Sequence, residues 1–300
     1  MAEPPVPPRE NPTRTIIFMV VLSFVCAFIL SILASVLEEP KETAKDLDRS
    51  KQLMIAAKML SHDGHFLIKN DQGEYVPAKS LPDGTLEEDS KIEIPSQAQL
   101  IAVYKKRIQS LLVDDKGNIT NFEKAGLKED DYVAEYKKSG YYKQPLKLVY
   151  AVLPNAAEKD SKPEAYVIPI NGYGLWDAIY GYLALKPDGD TVLGISWYDQ
   201  KETPGLGANI TEPAWQSQFP SKVIFLPSGE KPNLKTAPLG INVVKGKVSD
   251  VLGDSPKAKT AVDGMTGATL TGNGVTDAYR DVLSAYRPFL IKLHEENSKK

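Results

Sequence analysis

From Thr15 to Leu37 the chain carries no charged residue, and fifteen of the side chains in that run are Ile, Leu, Val or Phe. Roughly 20 apolar residues span the hydrocarbon core of a bilayer as a helix. Each of these side chains favours insertion by about 0.3–0.6 kcal/mol, so the run as a whole favours the membrane by several kcal/mol. A secretory signal has a shorter apolar core, about 7–15 residues, ahead of a small-residue cleavage site. Ala34-Ser35 is similar to such a site, but the run is too long, and the reading is an uncleaved single-pass anchor. Flanking charge does not orient it. Arg9 and Arg14 precede it; Lys41, Lys45, Arg49 and Lys51 follow, interleaved with Glu38, Glu39, Glu42, Asp46 and Asp48. Long domains cross a membrane largely regardless of such charges.

The rest of the composition narrows the chemistry. With 36 basic and 39 acidic residues and no Lys/Arg block interleaved with aromatics, nucleic acid is excluded as an expected partner. The one cysteine, Cys26, lies inside the apolar run, so no intrachain disulfide and no Cys-ligated metal site can form. His62 and His65 offer two ligands at a turn, too few for a metal site, and no metal is expected.

The expected class is α+β: a transmembrane helix followed by a mixed domain without regular βαβ alternation. Residues 1–14 form a Pro-rich tail read as disordered, and 15–37 form the transmembrane helix. Residues 38–164 make a membrane-proximal helical and mixed region, and 165–297 a core domain closed by a C-terminal helix. Apolar spacing at Leu47, Met54, Ala57 and Leu60 predicts a helix from Asp46 to Leu60, ended by His62-Asp63-Gly64. Residues 65–100, with Asp71-Gln72-Gly73 and Pro82-Asp83-Gly84, read as irregular or hairpin structure. Strands are predicted at 165–170, 191–198, 223–226 and 241–244. Residues 175–185 read as a helix or a second strand, closed by the turn residues Pro187-Asp188-Gly189-Asp190. An amphipathic helix is predicted after Gly274, through Val275, Tyr279, Val282, Tyr286 and Leu293.

Three segments carry the functional signal. Asp263 to Gly274 sets Thr266, Thr269, Thr271 and Asn273 among four glycines just before the last helix. Hydroxyls and unpartnered N–H groups at a helix start suit a phosphate, and they equally suit a hydroxyl-capped turn. Asn171-Gly172-Tyr173-Gly174-Leu175-Trp176 lacks the third glycine of a dinucleotide fingerprint. It reads as a backbone approach to a flat ring beside an aromatic wall, or as a tight turn with a core Trp. Glu202-Thr203-Pro204-Gly205-Leu206-Gly207 presents Leu206 on a loop tip, suited to a planar, partly polar ligand or simply to a turn.

Together, in this order and spacing, the three segments resemble the membrane-bound FMN-binding domain family. That domain occurs in the C subunit of the Na⁺-translocating NADH:quinone reductase and in the G subunit of the Rnf electron-transfer complex. The stretches at 166–170 and 179–185, the anchor and the helix around 51–57 are more similar to the quinone-reductase type, as is Gln200 where the Rnf type often has His. The turn-rich stretch 66–99 is longer than the family core, and the resemblance gives it no role.

The resemblance implies FMN joined through its phosphate, as a phosphoester, to the hydroxyl of the last Thr in Asp-x-x-(Ser/Thr)-Gly-Ala-Thr, here Thr269. A flavin transferase using FAD and a divalent metal would make the bond, reading a sequence that includes Asp263. Gly267 and Ala268 would donate N–H groups to the phosphate, with Lys245 or Lys247 as a nearby cation. Gly172 and Gly174 would let backbone approach the flavin, and Gly207 would allow the left-handed turn that holds Leu206 at the site. Leu175, Trp176 and Leu206 would wall the isoalloxazine, and Glu202 and Thr203 would hydrogen-bond around it. No catalytic acid, base or nucleophile is expected, because the cofactor carries the redox chemistry. The implied partners are the other subunits of a membrane oxidoreductase and the membrane itself. The implied place is the bacterial inner (cytoplasmic) membrane, with the flavin domain on the periplasmic side. The Rnf counterpart and a membrane-anchored FMN-binding regulatory module remain as alternatives.

Overall fold

In the computed structural model, which describes residues 12–156, 161–227 and 233–298, the apolar run is one helix, α1 (Pro12–Val36). By length and composition α1 is able to cross a membrane. The Pro-rich tail lies, up to residue 11, outside the described residues. Helix α2 (Glu38–Ala56) follows. Residues up to Asp48 and residues 49–300 are two separate compact units.

The centre of the second unit is built by strands that the sequence announces. β-Branched and aromatic residues are frequent along β7 (Ala165–Tyr173), β8 (Ala178–Leu185) and β9 (Val192–Asp199), as strands favour, and most positions are buried because both faces of the sheet are covered. The 175–185 segment is therefore a strand preceded by a loop. Its turn into β9 is fixed by Asp188, whose carboxylate accepts from the N–H groups of Asp190 (2.9 Å) and Thr191 (2.8 Å). Strands β4 (Ile108–Val113), β5 (Ile119–Thr120) and β6 (Lys147–Val152) extend the sheet in the order β5-β4-β6-β7-β8-β9, antiparallel throughout.

Each face of this sheet has its own core. On one face Tyr166, Ile168 and Ile170 of β7 pack against α8 (Thr269–Asn297), whose Val275, Tyr279, Val282, Tyr286 and Leu293 are buried at helical spacing. Tyr286 ties the layers by donating its hydroxyl to Leu148 O at 2.5 Å. On the other face lie the end of α2, α3 (Gln97–Arg107), and a three-stranded sheet of β1 (Phe66–Lys69), β2 (Tyr75–Ser80) and β3 (Leu86–Glu88). Residues 66–88 are thus an ordered meander. Short helices α4 (Phe122–Ala125) and α5 (Glu129–Tyr136) complete this side.

Three expectations are corrected. The helix expected from Asp46 to Leu60 runs instead from Glu38 to Ala56, because Lys58 turns left-handed (φ 58°) and stops it. The strands expected at 223–226 and 241–244 shrink to isolated bridges at Val223 and Phe225 and a two-residue strand β10 (Asn242–Val243), parallel to β11 (Ala261–Val262). Asp190 takes the N–H groups of Ile224 (3.0 Å) and Phe225 (2.9 Å), so a side chain replaces a ladder there. The last helix begins at Thr269, six residues before Val275, so Gly272 and Gly274 lie inside it. Each Gly costs roughly 1 kcal/mol in a helix interior. Tertiary contact offsets that cost: at Gly274 a Cβ would stand 2.0 Å from Tyr173 O.

Candidate functional site

The three segments singled out in the sequence meet on one side chain. Glu202 follows β9 and is 5% exposed. One of its oxygens accepts from the Trp176 N–H (3.0 Å). The other accepts from the Leu175 N–H (3.0 Å) and the Thr271 hydroxyl (2.5 Å). The loop between β7 and β8, the loop after β9 and the first turn of α8 are thereby clipped together through a carboxylate. Burial alone would raise its pKa. The bonds from Thr271 and from the backbone of Trp176, Leu175 and Asp177 outweigh that, and hold it below the ordinary carboxylate value.

Gly174 and Gly207 make room for this clip. A Cβ at Gly174 would stand 2.4 Å from a Glu202 oxygen, and one at Gly207 would stand 2.4 Å from the Thr271 hydroxyl. Gly172 abuts α8, with Ala278 Cβ 2.5 Å from where its own would be. Glu202 and Thr203, expected around a ring, are turned to the protein: Thr203 Oγ1 accepts from the Trp176 indole N–H at 3.1 Å. The turn after Thr203 is closed by N–H groups of Leu206 and Ala208, both 3.1 Å from Thr203 O. Gln200 in turn accepts the Glu202 N–H at 2.5 Å.

What these contacts leave outward is apolar. Trp176 is 68% exposed, Leu175 49%, Leu206 40% and, beyond the residues expected, Tyr173 74% and Leu270 59%. Leu206 leans on the third segment, its Cδ2 2.9 Å from where a Cβ of Gly267 would stand.

Beside this rim lies a cleft of about 240 Å³ bordered by Lys245, Gly246, Thr266, Gly267, Thr269 and Asn273, among others. Val243 at the end of β10 and the following Val244 border it too; β10 pairs in parallel with β11, and the pairing is continued by Val244 N–H to Val262 O (3.0 Å) and Gly264 N–H to Gly246 O (2.8 Å). Thr269 is the first residue of α8, a helix of 29 residues whose cap residue Ala268 supplies no side-chain bond. The first-turn amides of a helix have no partner within it, and their dipole favours an anion. Ala268, expected to donate to a phosphate, gives its own N–H to Met265 O at 3.1 Å. Of the two candidate lysines, the structure brings Lys245 to the cleft; Lys247 heads the short helix α7 (Val248–Val251) instead.

The hydroxyls separate by burial. Thr266 and Thr269 are exposed, whereas Thr271 is 1% exposed and committed to Glu202. Asp263 is a local clip: its carboxylate accepts the Val248 N–H (2.7 Å), its carbonyl the Trp215 indole N–H (2.9 Å), and its N–H goes to Gln218 (2.9 Å). Trp215 and Gln218, and the pairing of Thr271 with Glu202, were not legible, since each acts through a tertiary contact that no local spacing announces. Far from this site, His65 shares its Nδ1 with the Ser61 hydroxyl at 2.8 Å.

Fold and site together define the class, an FMN-binding domain: residues 174–284 match the family model of that description. The C subunit of the Na(+)-translocating NADH-quinone reductase from Chlamydia muridarum is 40% identical over 303 aligned residues, covering 96% of this chain and 94% of the relative. The same subunit from Pasteurella multocida is 29% identical, with 93% of each chain covered. The chain belongs to this family of reductase C subunits. A crystal structure of the subunit from Parabacteroides distasonis has the same fold, with a TM-score of 0.53 and 23% identity over 85% of this chain and 96% of the other.

Proposed function

We propose that this chain is the flavin-bearing electron-relay subunit of a Na⁺-translocating NADH:quinone reductase, with FMN bound as a phosphoester of the Thr269 hydroxyl. One observation carries the reading: an exposed threonine hydroxyl stands on the uncapped first turn of a 29-residue helix, beside a cleft of about 240 Å³. The residues fit the group. Open amides and Lys245 suit a phosphate, and the exposed apolar rim of Leu175, Trp176 and Leu206 suits a planar ring. When bound, FMN supplies one- and two-electron redox chemistry. The protein's own part is to hold and orient: α8 fixes the phosphate end, and Glu202 holds the wall residues in register with it. The buried Thr271 is spoken for by Glu202, which supports Thr269 over it. Thr266 is as exposed as Thr269, and there the choice rests on the Asp-x-x-(Ser/Thr)-Gly-Ala-Thr pattern.

The test is a denaturing gel of the chain from cells that also express a flavin transferase, viewed under ultraviolet light. Wild type and Thr266→Ala are expected to fluoresce and Thr269→Ala to stay dark; a bright Thr269→Ala band overturns the assignment. The same reading puts the flavin domain on the periplasmic face, among the other subunits of the complex. A reporter enzyme active only outside the cytoplasm, fused after Lys300, is expected to be active.

A further inference from the structure

A second cleft, of about 290 Å³, shares no bordering residue with the first. It is bordered by Lys58, Lys69, Tyr75, Arg107, Glu164 and Lys186, among others, giving four cationic side chains and one carboxylate. That carboxylate is taken: Glu164 pairs with the buried Arg107 guanidinium, which is anchored by its Nε donating to Leu153 O at 2.6 Å. Asn155, also on the border, exchanges both its amide groups with the Leu86 backbone. Among the described residues, none of the three lysines has a carboxylate at ion-pair distance.

Lys58 is held in this position at a conformational cost. It occupies the left-handed site of a Schellman turn: its N–H reaches Ile55 O at 3.1 Å, and the Met59 N–H reaches Met54 O at 2.9 Å. That site usually takes glycine. Lys58 (φ 58°) and Ser221 are the non-glycine residues with positive φ among the described residues, against twelve glycines. Its stem runs over the sheet, where a Cβ at Gly194 would come within 3.3 Å of Lys58 Cε. Burial pushes its ammonium below the ordinary lysine value, without a counter-ion to offset the loss of solvent. A lysine in the last turn of a helix is favoured by the dipole, but that attraction does not require the one backbone position where glycine fits better. An outlier of this kind points to function rather than to stability.

We propose that this cleft binds a small phosphate-bearing anion through the ammonium groups of Lys58, Lys69 and Lys186. Lysines bind phosphate as mobile point charges, and the Tyr75 hydroxyl, pushed up to about 12 by burial and the Glu164 charge, stays protonated as a donor. A soluble phosphate ester and a phospholipid headgroup share this chemistry.

The test measures thermal unfolding of the full chain, with inorganic phosphate against chloride at equal ionic strength. A parallel set uses nanodiscs of phosphatidylglycerol against phosphatidylcholine. Thr269→Ala serves as background throughout, so that the first cleft contributes equally to every comparison. The expected result is a rise in the midpoint with phosphate, or with phosphatidylglycerol, that Lys58→Gly and Lys186→Ala both lose. Lys58→Gly relieves the left-handed strain and so folds. A rise with phosphate assigns the site to soluble anions, and a rise only with phosphatidylglycerol assigns it to lipid. If neither anion raises the midpoint beyond its control, or if the rise persists in Lys58→Gly, the proposal is overturned.

Discussion

On the readings proposed above, the two clefts would attract an anion by opposite means. At Thr269 the positive end is backbone: the N-terminus of α8, where aligned peptide dipoles amount to about half a positive charge, with one lysine, Lys245, on the border. At Lys58 the helix presents its C-terminus, the wrong sign for an anion, and side-chain ammonium groups must supply the attraction. Amides of a helix start cannot titrate or swing away, so they suit a group that stays in place. Ammonium groups on flexible stems are screened by salt over about 10 Å at 0.1 M, and suit a ligand that exchanges. The contrast would separate the proposed tether from the proposed reversible site.

The largest expected effect tests the tether. Thr269→Ala removes the one oxygen that would form the ester, and the expected flavin fluorescence on a denaturing gel falls to background, whereas free FMN added to the variant leaves no mark after denaturation. A bright band would move the bond to another hydroxyl, with Thr266 the exposed alternative.

Next comes the clip. Glu202→Ala leaves two part-buried N–H groups, of Leu175 and Trp176, and the buried Thr271 hydroxyl without their acceptor. At roughly 1–3 kcal/mol for each buried group left unsatisfied, partly relieved by water, the expected loss is about 3 kcal/mol, measured by urea unfolding. The pH dependence carries a definite sign. The folded pKa of Glu202 lies below its ordinary value, so its contribution is complete above the unfolded carboxylate value, about 4.3, and disappears as pH falls through the folded one. Glu202→Gln is expected to flatten that acid limb. An unchanged limb in the variant would mean that another carboxylate governs it.

The apolar helix α1, β7, β9 and the amphipathic face of α8 were legible because periodicity and length alone decide them. Other features were not. The meander at 66–88 buries little: along β2 Ala78 is the buried position, so no alternation stands out. The start of α8 was hidden because Gly272 and Gly274 argue locally against a helix, and contacts with Val243 and Tyr173 override them. Trp176 and Leu206 could be singled out by neighbouring glycines, whereas Thr269 was chosen among neighbouring hydroxyls only through the resemblance to the Asp-x-x-(Ser/Thr)-Gly-Ala-Thr pattern. The role of Glu202 as the joint between segments could not, because its bond to Thr271 spans 69 residues of sequence.

In the second cleft the expected effect is smaller and opposite in direction. Lys58→Gly removes left-handed strain, worth about 1–2 kcal/mol for a residue with a Cβ, but frees the unfolded chain. The net expectation in phosphate-free buffer is stabilisation by about 0.5–1 kcal/mol. Destabilisation would show that the lysine is there to hold the helix end.

Lys245→Ala is the finest test of the contrast. Lys245 borders the Thr269 cleft and is exposed. An exposed charge pair contributes about 0.2–1 kcal/mol and is screened further by salt. If the α8 amides hold the phosphate, the variant is expected to reach at least half the wild-type fluorescence per mole of protein, with the deficit shrinking at high salt. If fluorescence falls as far as in Thr269→Ala, a side-chain cation governs this cleft as well. The two sites would then differ in whether an ester forms, and no longer in how the anion is attracted.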